Sequence, residues 1–160
     1  VDAATTSLQA IGQSSVRVTP LQVAMIAATI ANDGVRMQPY LVSQVRDPEL
    51  AVVSTTEPTA LNRAMSSPTA AALTEMMVSV VESGTGTAAQ IAGVSVAGKT
   101  GTAESGEAPD AWFTGFAPAD DPQVAVAVVV EDGGSTGSEA TGGAVAAPIA
   151  RAVIEAVLGS

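Results

Sequence analysis

Lys99 is the only lysine in the chain, the other five basic residues being arginine, and it opens the string Lys99-Thr100-Gly101-Thr102. An ammonium attracts an anion from a distance, two threonine hydroxyls direct hydrogen bonds to it, and the glycine between them lets another backbone come close. On a strand, this combination suits an extended peptide with a carboxylate end, added along the edge as a further β-strand. The plainer reading is a strand with an exposed lysine, but by average residue usage such a string arises by chance in only roughly one chain of several hundred. The chain has no histidine and no cysteine. That excludes Ser-His-Asp and Cys-His nucleophiles, disulfides and most zinc sites. Nucleophilic chemistry here must use lysine or a carboxylate as base, and no metal or cofactor is expected.

The elements that position Lys99 follow from pattern and punctuation. Thr19-Pro20-Leu21-Gln22 is a capping box with proline at the first helical position, opening an apolar helix that should end at Asn32-Asp33-Gly34. Ser67-Pro68 opens a second helix, with Leu73, Met76, Met77, Val80 and Val81 at helical spacing as a core stripe before Gly84. Between them, short apolar runs broken by Pro39, Pro48 and Pro58 read as edge strands and loops. Three strand-like runs follow, Val94 to Glu104, Ala111 to Ala117 and Gln123 to Glu131, separated by the turn-rich segments SGEAPD and PADDP. Short links favour an antiparallel meander. Gly133 to Gly143 reads as a flexible loop, and Ala144 to Leu158 as a final helix with Val145, Ile149, Val153 and Val157 on one face. The fold class is therefore α+β, an antiparallel sheet covered by helices.

At 160 residues and 47% hydrophobic, the chain is sized for one domain or part of one. Its formal charge of −10 repels phosphate backbones and anionic lipid heads, which excludes nucleic acid as a partner. No apolar run approaches the ~20 residues that span a bilayer. The chain begins at Val1 without a basic-then-apolar leader, and the expectation is that it belongs to something longer.

The K-T-G string accompanies S-x-x-K and S-D-N in β-lactamases and penicillin-binding proteins, and its surroundings here resemble class B penicillin-binding proteins. The resemblance runs through Gly12-Gln13, Val18-Thr19-Pro20-Leu21-Gln22-Val23-Ala24, Ala31-Asn32-Asp33-Gly34, VESGTGTA from Val81 to Ala88, VAGKTGTAE from Val96 to Glu104, and Trp112-Phe113-Thr114-Gly115-Phe116-Ala117-Pro118. The Ala- and Val-rich composition is similar to that of the cell-division-associated actinobacterial members. The resemblance implies the penicillin-binding and serine β-lactamase-like fold, and a D,D-transpeptidase that joins peptidoglycan stem peptides and is acylated by β-lactams. It implies that Lys99 tunes the site and aids proton transfer, that the Thr100 and Thr102 hydroxyls hold the terminal carboxylate, and that the Thr102 backbone N–H is an oxyanion-hole donor. Gly101 and Ala103 belong to the same substrate strand. Trp112, on the next strand, is expected to pack in the core, with substrate contact as the alternative.

No Ser-x-x-Lys occurs in the chain: three residues before Lys99 stands Val96, and neither Asn32 nor Asn62 has a serine two before it. The resemblance therefore implies that nucleophile, base and relay motif lie upstream, and that the first partner of this chain is its own N-terminal portion. It further implies an anchor outside the cytoplasmic membrane and cell-division proteins as partners. With that portion missing, one face of the sheet and the apolar helices are expected to lack cover. Two other readings share the K-T-G strand: a serine β-lactamase, of whose glutamate loop Glu57-Pro58-Thr59-Ala60-Leu61-Asn62 is a displaced echo, and a penicillin-sensing domain without turnover. An unrelated α+β binding module is the remaining alternative.

Overall fold

The computed structural model describes residues 2–104 and 108–159. Much of the turn-rich segment before the second strand of the sheet lies outside the described residues. The chain opens with α1 (Ala3–Ala10), capped by Asp2, whose carboxylate accepts the Thr5 N–H at 2.7 Å. That bond holds the Asp2 carboxyl below its ordinary range. Helix α2 (Pro20–Ala31) begins as the capping box requires. The Gln22 N–H reaches Thr19 Oγ1 at 3.2 Å, and the Thr19 N–H reaches Gln22 Oε1 at 2.8 Å. Two orphan donors are satisfied at once, so Thr19→Ala is expected to cost about 1 kcal/mol in denaturant unfolding, with an unchanged slope.

Asp33 and Gly34 stop α2 in left-handed conformations, φ 55° and 80°. A Cβ on Gly34 would collide with the Met65 carbonyl, so glycine is required there on two counts. Two antiparallel pairs follow, β1 (Val35–Met37) with β4 (Ala60–Arg63), and β2 (Gln44–Arg46) with β3 (Val52–Thr55). Helix α3 (Ser67–Glu82) carries the Met and Val stripe, but only partly inward: Met77 and Val81 are buried, Leu73 and Val80 half-buried, and Met76 is 57% exposed.

Strands β5 (Ala97–Ala103), β6 (Asp110–Ala117) and β7 (Val124–Val130) form the expected antiparallel meander in the order β5-β6-β7. The fold is thus α+β, but helices cover the sheet on both faces. On one, Ala97 and Phe116 pack with Ala27 and Ile30 of α2 and Met77 of α3. On the other, Phe113, Ala117 and Val126 pack with Ala147, Ala150 and Ile154 of α4 (Ala147–Leu158).

Three expectations are corrected. First, α4 turns a different face inward. Ile149, Val153 and Val157 are 45%, 41% and 59% exposed, while Ala147, Ala150 and Ile154 are buried. Alanines let the helix approach the sheet closely, and one branched residue then fills the remaining depth. Second, Gly133 to Gly143 is not a featureless loop. It contains 3-10 turns at Glu131–Gly133 and Gly137–Glu139 and enters a wide helical turn, Gly142–Ala146, that leads into α4. Third, neither face of the sheet is bare; the apolar helices do lack cover, with Leu21 and Ile26 of α2, Met76 of α3 and the outer side of α4 exposed, and so are side chains of the β2–β3 hairpin and the flanking loops.

Candidate functional site

Strand β5 is the outer strand of its sheet, so one row of its backbone groups faces away from β6. In a strand the N–H and C=O of one residue point the same way and alternate along the chain. The Thr102 carbonyl accepts the Gln13 Nε2–H at 3.1 Å, and the Glu104 N–H donates to Gln13 Oε1 at 3.4 Å. The free row therefore belongs to Gly98, Thr100, Thr102 and Glu104. The Thr102 N–H is in it, as an oxyanion-hole donor must be.

Side chains sort by the same alternation. Lys99 lies opposite Thr114 and Gly101 opposite Trp112, and directly opposed residues share a face. These four look toward the linker between α1 and α2. With Gly12, Gln13 and Arg17 they line a groove of about 500 Å³ that reaches from β5 across β6 to Val129 of β7. Lys99 is exposed, and its Nζ donates to the Thr100 carbonyl at 2.7 Å, capping a carbonyl of the free row. Thr114 Oγ1 donates to the Val126 carbonyl at 3.0 Å, which fixes it against the sheet.

Thr100 and Thr102 project to the opposite face. Thr100 Oγ1 lies 2.6 Å from Thr85 Oγ1, and Thr102 Oγ1 accepts the Gly142 N–H at 3.4 Å. In a pair of hydroxyls one donates and the acceptor keeps its own proton, so the Thr85–Thr100 pair retains one donor for a third oxygen. Gly142 sits directly behind the motif: a Cβ there would collide with the Trp112 and Gly101 backbones. Glycine at 142 is what allows the turn before α4 to support β5 from behind.

Trp112 is half-buried on the groove wall, not in the core, whose aromatics are Phe113 and Phe116. One step along β6 decides this, because Phe113 faces α4 and fills the space beside Gly98, where a Cβ would meet its ring. The structure thus brings together Lys99, Thr100, Gly101, Thr102, Ala103 and Trp112 around one groove. Glu57 is exposed on the loop between β3 and β4 and does not line it.

The sequence reading gave no role to Gln13, Arg17, Thr85 or Gly142. Gln13 and Thr85 lay inside quoted segments, but only their spatial meeting with β5 shows what they touch. Arg17 adds a second cation to the groove. Among the described residues no cluster of acidic or histidine side chains could hold a metal ion, and no helix is long and apolar enough to cross a membrane.

The penicillin binding protein transpeptidase domain matches residues 2–155. The peptidoglycan D,D-transpeptidase PbpA of Mycolicibacterium smegmatis is 55% identical over 163 residues, covering 99% of this chain and 33% of the relative. PbpA of Mycobacterium tuberculosis is 52% identical over 162 residues, covering 98% and 33%. Penicillin-binding protein A from M. tuberculosis, solved as a ceftriaxone acyl-enzyme, superposes with a TM-score of 0.93 at 51% identity, covering 98% of this chain and 36% of that one. Its penicillin G acyl-enzyme gives 0.86 at 52%, with 98% and 36% covered. The chain spans about a third of the length of these curated relatives. With the whole β5 site and most of both helical layers inside the matched segment, the chain belongs to the penicillin-binding protein transpeptidase domain family.

Proposed function

We propose that this chain is the C-terminal part of a peptidoglycan D,D-transpeptidase, a serine-type enzyme that joins stem peptides and is acylated by β-lactams. The observation that carries the reading is the placement of Lys99-Thr100-Gly101-Thr102 on a free sheet edge bordering a groove, in a chain half identical to PbpA enzymes.

The serine comes from the remainder of the parent protein, since no Ser-x-x-Lys occurs here. Its Oγ attacks the D-Ala-D-Ala carbonyl, giving up its proton to a neighbouring base, and the carbonyl oxygen becomes an oxyanion. The Thr102 N–H, on the free edge, donates to that oxyanion; such a donor is typically worth about 2.7–4 kcal/mol. The tetrahedral intermediate collapses with loss of the terminal D-Ala as an amine, leaving an acyl-enzyme that an acceptor amine resolves. Lys99 supplies positive charge at the groove and assists proton transfer. The Thr100 and Thr102 hydroxyls, with Ala103 alongside, receive the substrate carboxylate, and Trp112 forms the groove wall against its body.

The remainder of the parent domain is the first partner of this chain and covers the exposed face of α4 and the outer side of α2. The parent acts at the extracytoplasmic face of the membrane, held by an anchor outside these residues, and works with other cell-division proteins. The test is intact-mass spectrometry of the full-length parent before and after excess penicillin G. One added penicillin mass, retained because the opened lactam keeps all its atoms, is the expected result. An unmodified protein, or one that sheds the adduct within seconds as a hydrolase does, would overturn the assignment.

A further inference from the structure

The free edge of β5 is not open along its length. Gln13 spans Ala103 there, its Nε2–H on the Thr102 carbonyl and its Oε1 on the Glu104 N–H. One residue of a parallel neighbour strand would make the same two bonds through its own N–H and C=O. The side chain is therefore a stand-in for a residue of an added strand.

The backbone is shaped to hold it so. Gly12 and Ser14, on either side, are both left-handed, φ 79° and 67°, and for serine this is a conformation that costs energy. The Gln13 N–H donates to the Leu8 carbonyl at 3.0 Å and the Gly12 N–H to Gln9 at 3.0 Å, tying the turn to the end of α1. Gln13 is half-buried between exposed neighbours.

We propose that Gln13 is a specificity-determining residue that competes with the ligand for the Thr102 carbonyl, and so sets the cost of pairing a peptide amide at that point. The proposal rests on the transpeptidase reading. A ligand carbonyl held by the Thr102 N–H brings an amide N–H one carbon away toward the Thr102 C=O, as two residues of an antiparallel pair exchange both bonds. That position is already taken. Ligands with such an amide meet the Gln13 carboxamide at that oxygen and compete with its bond, whereas ligands without one do not. Gln13 thus discriminates by the chemistry next to the reacting carbonyl, and its release lets the edge accept a longer strand.

The test uses the full-length parent and two β-lactams, penicillin G, which carries an acylamino group beside the lactam carbonyl, and penicillanic acid, which carries none. Second-order acylation constants are measured for the wild type, Gln13→Ala and Gln13→Met, the last keeping side-chain length without donor or acceptor. The ratio of penicillin G to penicillanic acid is expected to rise about five-fold in both variants, the size of one net hydrogen bond. An unchanged ratio, or equal losses for both ligands, would overturn the proposal while leaving the transpeptidase reading intact. Failure of penicillin G to acylate even the wild type would overturn both.

Discussion

Replacing Lys99 by alanine in the full-length parent is expected to slow acylation by penicillin G by about 10² to 10⁴, the usual range for losing a positioned acid–base group. Lys99 is the only lysine and one of two cations lining the groove of a strongly acidic chain, so no neighbour replaces it. Stability should hardly move. The side chain is exposed and its one bond, to the Thr100 carbonyl, can be taken over by water; surface changes of this sort stay within about 0.5 kcal/mol. Lys99→Arg should restore only part of the rate, because the planar guanidinium keeps the charge but cannot occupy the compact position of an ammonium. Stopped-flow acylation beside thermal unfolding checks both halves. A loss under ten-fold in Lys99→Ala would mean that the ammonium is not used in the chemical step.

The largest expected effect on stability falls on Phe113. Its side chain is fully buried, at the centre of the cluster formed with α4, and its ring occupies the space left by Gly98 on β5. Phe113→Ala should cost about 3–5 kcal/mol, combining lost transfer energy with an unfilled cavity. Acylation should fall as well, since β5 loses the ring that sets its distance from α4. Trp112→Ala, one position earlier, should cost clearly less in unfolding while changing ligand affinity, because that side chain is half-buried on the groove wall. Unfolding of the transpeptidase unit followed by calorimetry, with penicillin G binding measured alongside, separates the two. Equal destabilisation by both substitutions would contradict the assignment of faces on β6.

Both residues illustrate how far local pattern reaches. Trp112 and Phe113 are adjacent aromatics on a strand that is buried on one face and only partly open on the other, so alternation alone does not say which ring points to the core. Register decides it: Gly101 opposite Trp112 leaves that ring at the groove, and Gly98 makes room for Phe113. The same limit applies to α4, where the apolar stripe at helical spacing is not the face that is buried. The actual inner face uses Ala147 and Ala150, whose small size has no hydrophobic signature but permits close packing on the sheet.

Other features were legible because they are local. The capping box at Thr19 to Gln22, the Asn-Asp-Gly stop and the Ser-Pro start of α3 each satisfy backbone groups within a few residues, so composition and spacing suffice to place them. The sequence by itself determined the restricted chemistry of this chain: without histidine or cysteine, it offers only lysine or a carboxylate as base, and its lone lysine stands in a Lys-Thr-Gly-Thr string. It also determined the run of helices and meander strands around that string. Only the tertiary structure decided that β5 lies at the sheet edge, that the Thr102 N–H faces outward, and that Gln13, Thr85 and Gly142 meet the motif from separate parts of the chain. Those contacts join residues 15 to 91 positions apart, and they arise from packing two helical layers against one sheet, which no short-range pattern encodes.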